Sequence, residues 1–251
     1  GTEGSRLGRR VRRVADRLAW RRCERILVPS ELLAGQLRAD GLTGPDIVVV
    51  PPGRDIPERP ETSSDVPSAA ARRAELRRGR RAAVLCVANW VVRKGVAELL
   101  DAVAGLPDDL VTLHLVGDEA LGGAYRAAVL ARLARPELRD RVVRHGTLPP
   151  AVVAELFDAA DVFVLASSEE PYGMVYAEAM VAGVPVVGWR AGNLPNLVDD
   201  GVHGRLAPLG DVAALGAAIG ELAADDALRT RLGEAARQRT ATFPTWHETA
   251  G

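Results

Sequence analysis

Beyond residue 68 the chain alternates between two kinds of segment. Six short apolar runs recur: AAVLCVA (82–88), LVTLHLVG (110–117), RVVRH (141–145), DVFVLAS (161–167), VPVVGW (184–189) and GRLA (204–207). Segments with helical spacing lie between them, near 95–104, 123–134, 150–159 and 173–182, and two more at 211–223 and 226–241 close the chain. Strands that are apolar on every residue, rather than on alternate ones, belong to a parallel sheet covered on both faces. Strict alternation of strand and helix requires right-handed crossovers. The expected fold is therefore α/β, a doubly wound parallel six-stranded Rossmann-like sheet. Such sheets bind ligands beyond the carboxyl ends of their strands, which selects the loops at 88–94, 117–122, 145–149, 167–173 and 189–193.

The first 68 residues read differently. Residues 5–22 have Leu7, Val11, Val14 and Leu18 at helical spacing among arginines. ERILVPS (24–30) is a short strand ending at Ser30, a fitting N-cap for a helix to Ala39. DIVVVPPG (46–53) is a second strand, stopped by prolines, and 54–67 is rich in proline, charge and serine, as linkers are. Residues 1–25 hold nine arginines against Glu3, Asp16 and Glu24, in a chain whose net charge is −1. That balance gives no reason to expect nucleic acid as a partner. The basic helix has two readings: a surface that docks on membranes, or a helix packed between domains. No apolar run reaches membrane-span length. Cys23 and Cys86 lie far apart and form no disulfide framework or metal motif, so a cytoplasmic location is expected. No signal peptide is visible, and the start at Gly1-Thr2 without methionine leaves room for a leader or more ahead of it.

Lys94 is the single lysine among 32 basic residues. It follows Arg93 in VANWVVRKG (87–95), where a strand feeds a helix start, and Asn89 shares that loop. Helix N-termini attract phosphate through free N–H groups and the dipole, so two adjacent cations there suit a diphosphate; an exposed basic pair is the alternative. The glycine-rich loop GDEALGG (117–123) is not a dinucleotide fingerprint. Gly117 suits either close passage beneath a ligand or a flexible turn. HGTLP (145–149) ends the third strand, and the backbone of Gly146, Thr147 and Leu148 can grip a flat base edge. His145 is placed near the cleft without a catalytic role, and His114 is expected to be a hydrogen-bonded core residue.

The loop SSEEPYGMVYAEAM (167–180) is the richest. Glu170 and Glu178 have seven residues between them, and the N–H groups of Tyr172, Gly173 and Met174 gather at a helix start. Carboxylates suited to hydroxyls, beside N–H groups and cations suited to phosphate, describe a nucleotide-sugar site. No Asp-x-Asp pair is present, so no metal requirement is expected.

VRKG, LVGD, HGTLP, EPYGMVYAE, EAMVAGVPVV and AGNLPNLVDDGVHG, in this order, resemble the family-4 retaining glycosyltransferases of the GT-B fold, from about Glu24 to the end. The resemblance implies roles. Arg93 and Lys94 match the pair that neutralises the donor diphosphate. Glu170 matches the glutamate on the donor sugar, and Glu178 the one on the ribose hydroxyls. Tyr172, Gly173 and Met174 match the backbone around sugar and phosphate, and Gly146 to Leu148 the base-binding turn. Where the family has Gly-Gly-x-Pro-Glu, this chain has Gly192-Asn193-Leu194-Pro195-Asn196, which removes a carboxylate and leaves Asn193 and Asn196 without an assigned role. Family members have two Rossmann-like domains. Here the division expected is 1–53 as a remnant of the acceptor domain, 54–67 as linker, 68–242 as the nucleotide-sugar domain and 243–251 as a helix crossing back.

The expected function is retaining transfer of a sugar from a nucleotide diphosphate sugar to an acceptor hydroxyl on a sugar, lipid or small molecule. This chain would supply the donor site, with the missing half in cis or on another chain. The alternatives are an epimerase or phosphorylase of the same fold, or a non-catalytic nucleotide-sugar-binding module.

Overall fold

The computed structural model describes residues 20, 22–42, 45–54, 68–120 and 123–250. The expected helix at 5–22 and the linker from 55 onward lie almost wholly outside these residues.

Two sheets are present among the described residues. The smaller pairs β1 (Arg25–Val28) in parallel with β2 (Asp46–Val49), joined by α1 (Glu31–Ala39). Ser30 caps α1, its hydroxyl accepting from the Leu33 N–H at 3.3 Å. The larger sheet has six parallel strands: β3 (Ala82–Val87), β4 (Val111–Val116), β5 (Val142–Gly146), β6 (Val162–Leu165), β7 (Val186–Trp189) and β8 (Gly204–Ala207). Their order is β5-β4-β3-β6-β7-β8. Every residue of β4, β6 and β7 is buried, the condition that their unbroken apolar runs implied.

The helices are α2 (Ala69–Arg77), α3 (Val96–Ala104), α4 (Ala124–Leu133), α5 (Pro150–Ala159), α6 (Met174–Val181), α7 (Leu194–Leu197), α8 (Val212–Ala224), α9 (Asp226–Thr240) and α10 (Trp246–Ala250). Helix α3 packs on α8, α6 on α9 and α2 on α5. Asp211 and Asp225 cap α8 and α9, accepting from the N–H groups of Ala214 and Leu228. The strands and longer helices fall within a few residues of their expected places. Helix α2 has no counterpart in the sequence reading. Its sequence AAARRAELR has one large apolar residue, so no apolar stripe marks it. It is held by polar contacts instead: a Ser68 cap and the Arg77 guanidinium forked on Asp161 at 2.7 and 2.8 Å.

The chain end returns to the smaller sheet. The Arg54 N–H donates to the Pro244 carbonyl at 2.7 Å and the Thr249 hydroxyl to the Pro51 carbonyl at 3.0 Å. A Cβ on Gly53 would lie 2.3 Å from the backbone of Trp246, so only glycine fits there.

His114, on β4, is 3% exposed and uses both ring nitrogens. Nε2 lies 2.9 Å from the Leu76 carbonyl, which can only accept, so Nε2 carries the proton. Nδ1 is then the acceptor for His145 Nε2–H at 2.9 Å. Burial pushes the His114 pKa down to about 4 against the pull of the Leu76 carbonyl, with His145 and Arg78 lowering it further. A histidine with a depressed folded pKa contributes stability above its unfolded pKa, near 6.5, and loses it as pH falls toward 4. The loss expected from His114 is about 3 kcal/mol. Urea unfolding at pH 7.5 and 4.5 should show a smaller acid-dependent loss for His114→Gln than for the wild type. Equal losses would remove His114 as the cause.

Candidate functional site

In the strand order β5-β4-β3-β6-β7-β8, the chain leaves the adjacent central strands β3 and β6 in opposite directions. In open α/β sheets such a switch point is where ligands bind, beyond the carboxyl ends of the two strands. The loops that flank it are 88–95 and 166–173, which hold Arg93, Lys94 and Glu170. Lys94 Nζ lies 2.5 Å from Glu170 Oε2, and both side chains are 14% exposed.

The structure corrects one detail of the sequence reading. Arg93 and Lys94 sit on a 3-10 turn, Val92–Lys94, and not on the first turn of a helix. Helix α3 starts only after Gly95, whose φ is 65°. A Cβ on Gly95 would be 2.0 Å from the Ala166 carbonyl oxygen, so glycine lets the two loops close on each other. They are also tied by hydrogen bonds: the Arg93 carbonyl accepts from the Ser168 N–H at 2.8 Å and from the Ser167 hydroxyl at 3.1 Å. The Arg93 side chain is exposed and donates to the Glu169 carbonyl at 3.3 Å. Below the pair, burial raises the Cys86 thiol to about 12 against the opposing field of Lys94, so it stays protonated at neutral pH. Tyr176 donates to the Leu165 carbonyl at 2.9 Å; burial first, and the Glu170 carboxylate second, hold its pKa well above the usual phenol value.

The Glu170 loop is fixed through its carbonyls. Glu169 receives the Ser167 hydroxyl at 3.1 Å, Glu170 the Asn193 N–H at 2.9 Å, Pro171 the Ser30 hydroxyl at 2.6 Å, and Tyr172 the Asn193 side-chain amide at 2.8 Å. Asn193 is 4% exposed and its side-chain oxygen accepts from Asn196 at 2.9 Å. Gly192, at φ 56°, lets that turn approach, since a Cβ there would be 2.7 Å from the Glu170 nitrogen. Sequence reasoning missed Ser30 as a contact of this loop and left Asn193 and Asn196 without a role. The carbonyls are thus occupied, whereas no hydrogen bond among the described residues uses the N–H groups of Tyr172 and Gly173. Helix α6 opens at Gly173, with φ 101°, and its first N–H groups have no acceptor within the helix.

Tyr172, Met174 and Glu178 line a shallow groove together with Pro52, Gly53, Arg54, Ala177 and Val181. The groove thus joins α6 to the segment that follows β2. Lys94 and Glu170 do not line it.

Asn89, Gly117 and Gly146 form a third group. Asn89 Oδ1 accepts from the Asp118 N–H at 2.9 Å, which gives this residue a structural contact besides the binding role read from the sequence. Gly117 has a packing role that neither reading of the sequence included. Its φ is 138°, and a Cβ would lie 2.2 Å from the Ala88 carbonyl oxygen, so it lets two loops of the chain meet. Its N–H donates to the Gly146 carbonyl at 2.8 Å. That bond occupies the Gly146 carbonyl, whereas no hydrogen bond among the described residues uses the Thr147 and Leu148 N–H groups.

Residues 68–239 match the family model described as "Glycosyl transferases group 1". A D-inositol 3-phosphate glycosyltransferase of Xylanimonas cellulosilytica is 33% identical over 238 residues, which is 90% of this chain and 56% of the relative. An N-acetyl-alpha-D-glucosaminyl L-malate synthase of Bacillus anthracis is 31% identical over 61% of this chain and 39% of its own length. Among solved structures, HepE of Anabaena in complex with UDP-glucose aligns over 94% of this chain and 64% of its own, at a TM-score of 0.81 and 26% identity. Sucrose-phosphate synthase of Thermosynechococcus elongatus aligns over 96% of this chain and 59% of its own, at a TM-score of 0.81 and 27% identity. The chain spans about half the length of the curated relatives it matches. With a GT-B fold and a family match over most of its length, the chain belongs to the glycosyl transferases group 1 family.

Proposed function

We propose that this chain is the donor-binding part of a retaining glycosyltransferase that takes a sugar from a nucleotide diphosphate sugar. The observation that carries the reading is the contact of Lys94 with Glu170 at the switch point. A cation for the diphosphate and a carboxylate for the sugar must stand side by side if they flank the one bond, between anomeric carbon and phosphate oxygen, that the reaction breaks. The HepE structure, of the same fold, holds UDP-glucose, which supports a donor of this class.

In this reading Lys94 and Arg93 neutralise the diphosphate, and Glu170 accepts hydrogen bonds from sugar hydroxyls. The N–H groups from Tyr172 to Met174 meet the leaving phosphate, Glu178 takes the ribose hydroxyls, and Thr147 and Leu148 take the base edge beside Asn89, Gly117 and Gly146. As the anomeric carbon–oxygen bond opens, negative charge grows on the departing phosphate, and the Lys94 ammonium is held ready for it without reorganisation. Charge neutralisation is assigned to these cations and not to a metal. Residues 1–53 are read as the end of an acceptor domain, 54–67 as its linker, 68–242 as the donor domain and 243–251 as the segment that crosses back. The basic stretch 5–22 remains the candidate for peripheral membrane contact.

Two experiments test this. Transfer needs donor and acceptor aligned in one site, so the isolated 251 residues should transfer no sugar, and adding the amino-terminal half, in cis or as a second chain, should restore transfer. Robust transfer by the chain alone would refute the division of roles. Glu178→Gln should weaken a ribonucleoside diphosphate about tenfold, because an ionised carboxylate is the stronger acceptor, and the 2′,3′-dideoxy analogue much less. An identical loss for both would remove the ribose role.

A further inference from the structure

Among the described residues, one hydrogen bond links segment β1–α1–β2 to the Glu170 loop, donated by a buried hydroxyl. Ser30 is 5% exposed, and its Oγ lies 2.6 Å from the carbonyl of Pro171, the residue between Glu170 and Tyr172. A carbonyl only accepts, so the hydroxyl proton points at Pro171, while an oxygen lone pair takes the Leu33 N–H at 3.3 Å. Both capacities are thereby used, and the hydroxyl has one orientation. The carbonyls on either side, of Glu170 and Tyr172, belong to Asn193. Three consecutive carbonyls are therefore held, the outer two by Asn193 at the start of α7 and the middle one from the amino-terminal segment.

We propose that Ser30 is a positioning residue for the glycosyl-binding loop: its hydroxyl ties Pro171 to the amino-terminal segment, so that the seat of Glu170 against Lys94 is set by the docking of β1–α1–β2. The loop's role in binding the sugar rests on the function proposed above; the anchoring does not. The anchor lets one half of the molecule sense the other. A shift of β1–α1–β2 would pull first on the residue next to the sugar carboxylate, and only through Glu170 on Lys94.

Substitutions at Ser30 separate this from simple helix capping. Threonine both caps and donates. Aspartate caps at least as well as serine, but an ionised carboxylate cannot donate. Hydrogen exchange on the full chain should show peptides within 166–174 exchanging about tenfold faster in Ser30→Asp and at the wild-type rate in Ser30→Thr. Peptides within 31–39 should stay protected in both. The ratio of UDP-glucose affinity to UDP affinity should fall about tenfold in Ser30→Asp, UDP itself weakening less because it shares only the Tyr172–Met174 N–H groups of this loop, and both affinities should be unchanged in Ser30→Thr. If Ser30→Asp does not fold, Ser30→Gly replaces it, since glycine is a tolerated N-cap with no hydroxyl. Unchanged protection of 166–174 without the hydroxyl, or an unchanged affinity ratio, would overturn the proposal. Where the wild-type chain binds another diphosphate and its sugar conjugate, that pair replaces UDP and UDP-glucose; where it binds none, the donor reading fails and the exchange comparison decides the anchor by itself.

Discussion

Replacing Lys94 with alanine is expected to weaken a nucleoside diphosphate about 100-fold while leaving the bare nucleoside within about twofold. Two losses combine. The ammonium that would face the phosphates is gone, and a charge-assisted contact of this kind is worth about 1.5–3 kcal/mol. Glu170 is also left without its 2.5 Å partner at 14% exposure, so an uncompensated carboxylate faces the incoming anion. Lys94→Arg should recover only part of the affinity, because a planar guanidinium cannot replace a compact ammonium between two tied loops. Calorimetric titration of the variants with diphosphate and nucleoside checks this. An equal loss for the two ligands would show that Lys94 acts through folding.

The largest effect on stability is expected at the opposite end of the sheet. Asp161, immediately before β6, is 3% exposed as a side chain. It takes the Arg77 fork at 2.7 and 2.8 Å and the Ala83 N–H at 2.7 Å. Arg73 and Arg229 lie at 3.7 and 3.8 Å. Arg229 is itself 6% exposed, donates to the carbonyls of Leu222 and Ala223 and pairs with Asp226. Removing this buried carboxylate leaves three guanidinium groups with no central anion, and breaking a buried pair from one side costs about 3–5 kcal/mol. Asp161→Ala should therefore shift urea unfolding by that amount, and Asp161→Asn by nearly as much. A loss below about 1 kcal/mol would show that the arginines find other acceptors.

The parallel sheet was legible because β3, β4, β6 and β7 are buried on both faces, and burial of that kind writes itself as unbroken apolar runs. Ser30 was legible as a cap because capping is local. Its bond to Pro171, 141 residues away, has no local signal. Helix α2 was hidden for a related reason: it docks through Arg73 and Arg77 on Asp161, and charge contacts leave no periodic pattern. Lys94 and Glu170 were each selectable as chemistry-bearing residues in loops at strand ends. That they meet follows from β3 and β6 being neighbours, a property of strand order that periodicity does not contain. Gly117 and Gly192 were visible only as glycines; what each admits is backbone from another loop.

The donor reading stands or falls on ligand binding by the chain itself, measured by calorimetric titration with UDP, GDP, ADP and TDP and with their glucose conjugates. The expected result is one-to-one binding of at least one diphosphate at sub-millimolar concentration, and of its sugar conjugate. Lys94→Ala should weaken both. Failure of all four diphosphates and their conjugates to bind at millimolar concentration would contradict a nucleotide-sugar site at the switch point between β3 and β6.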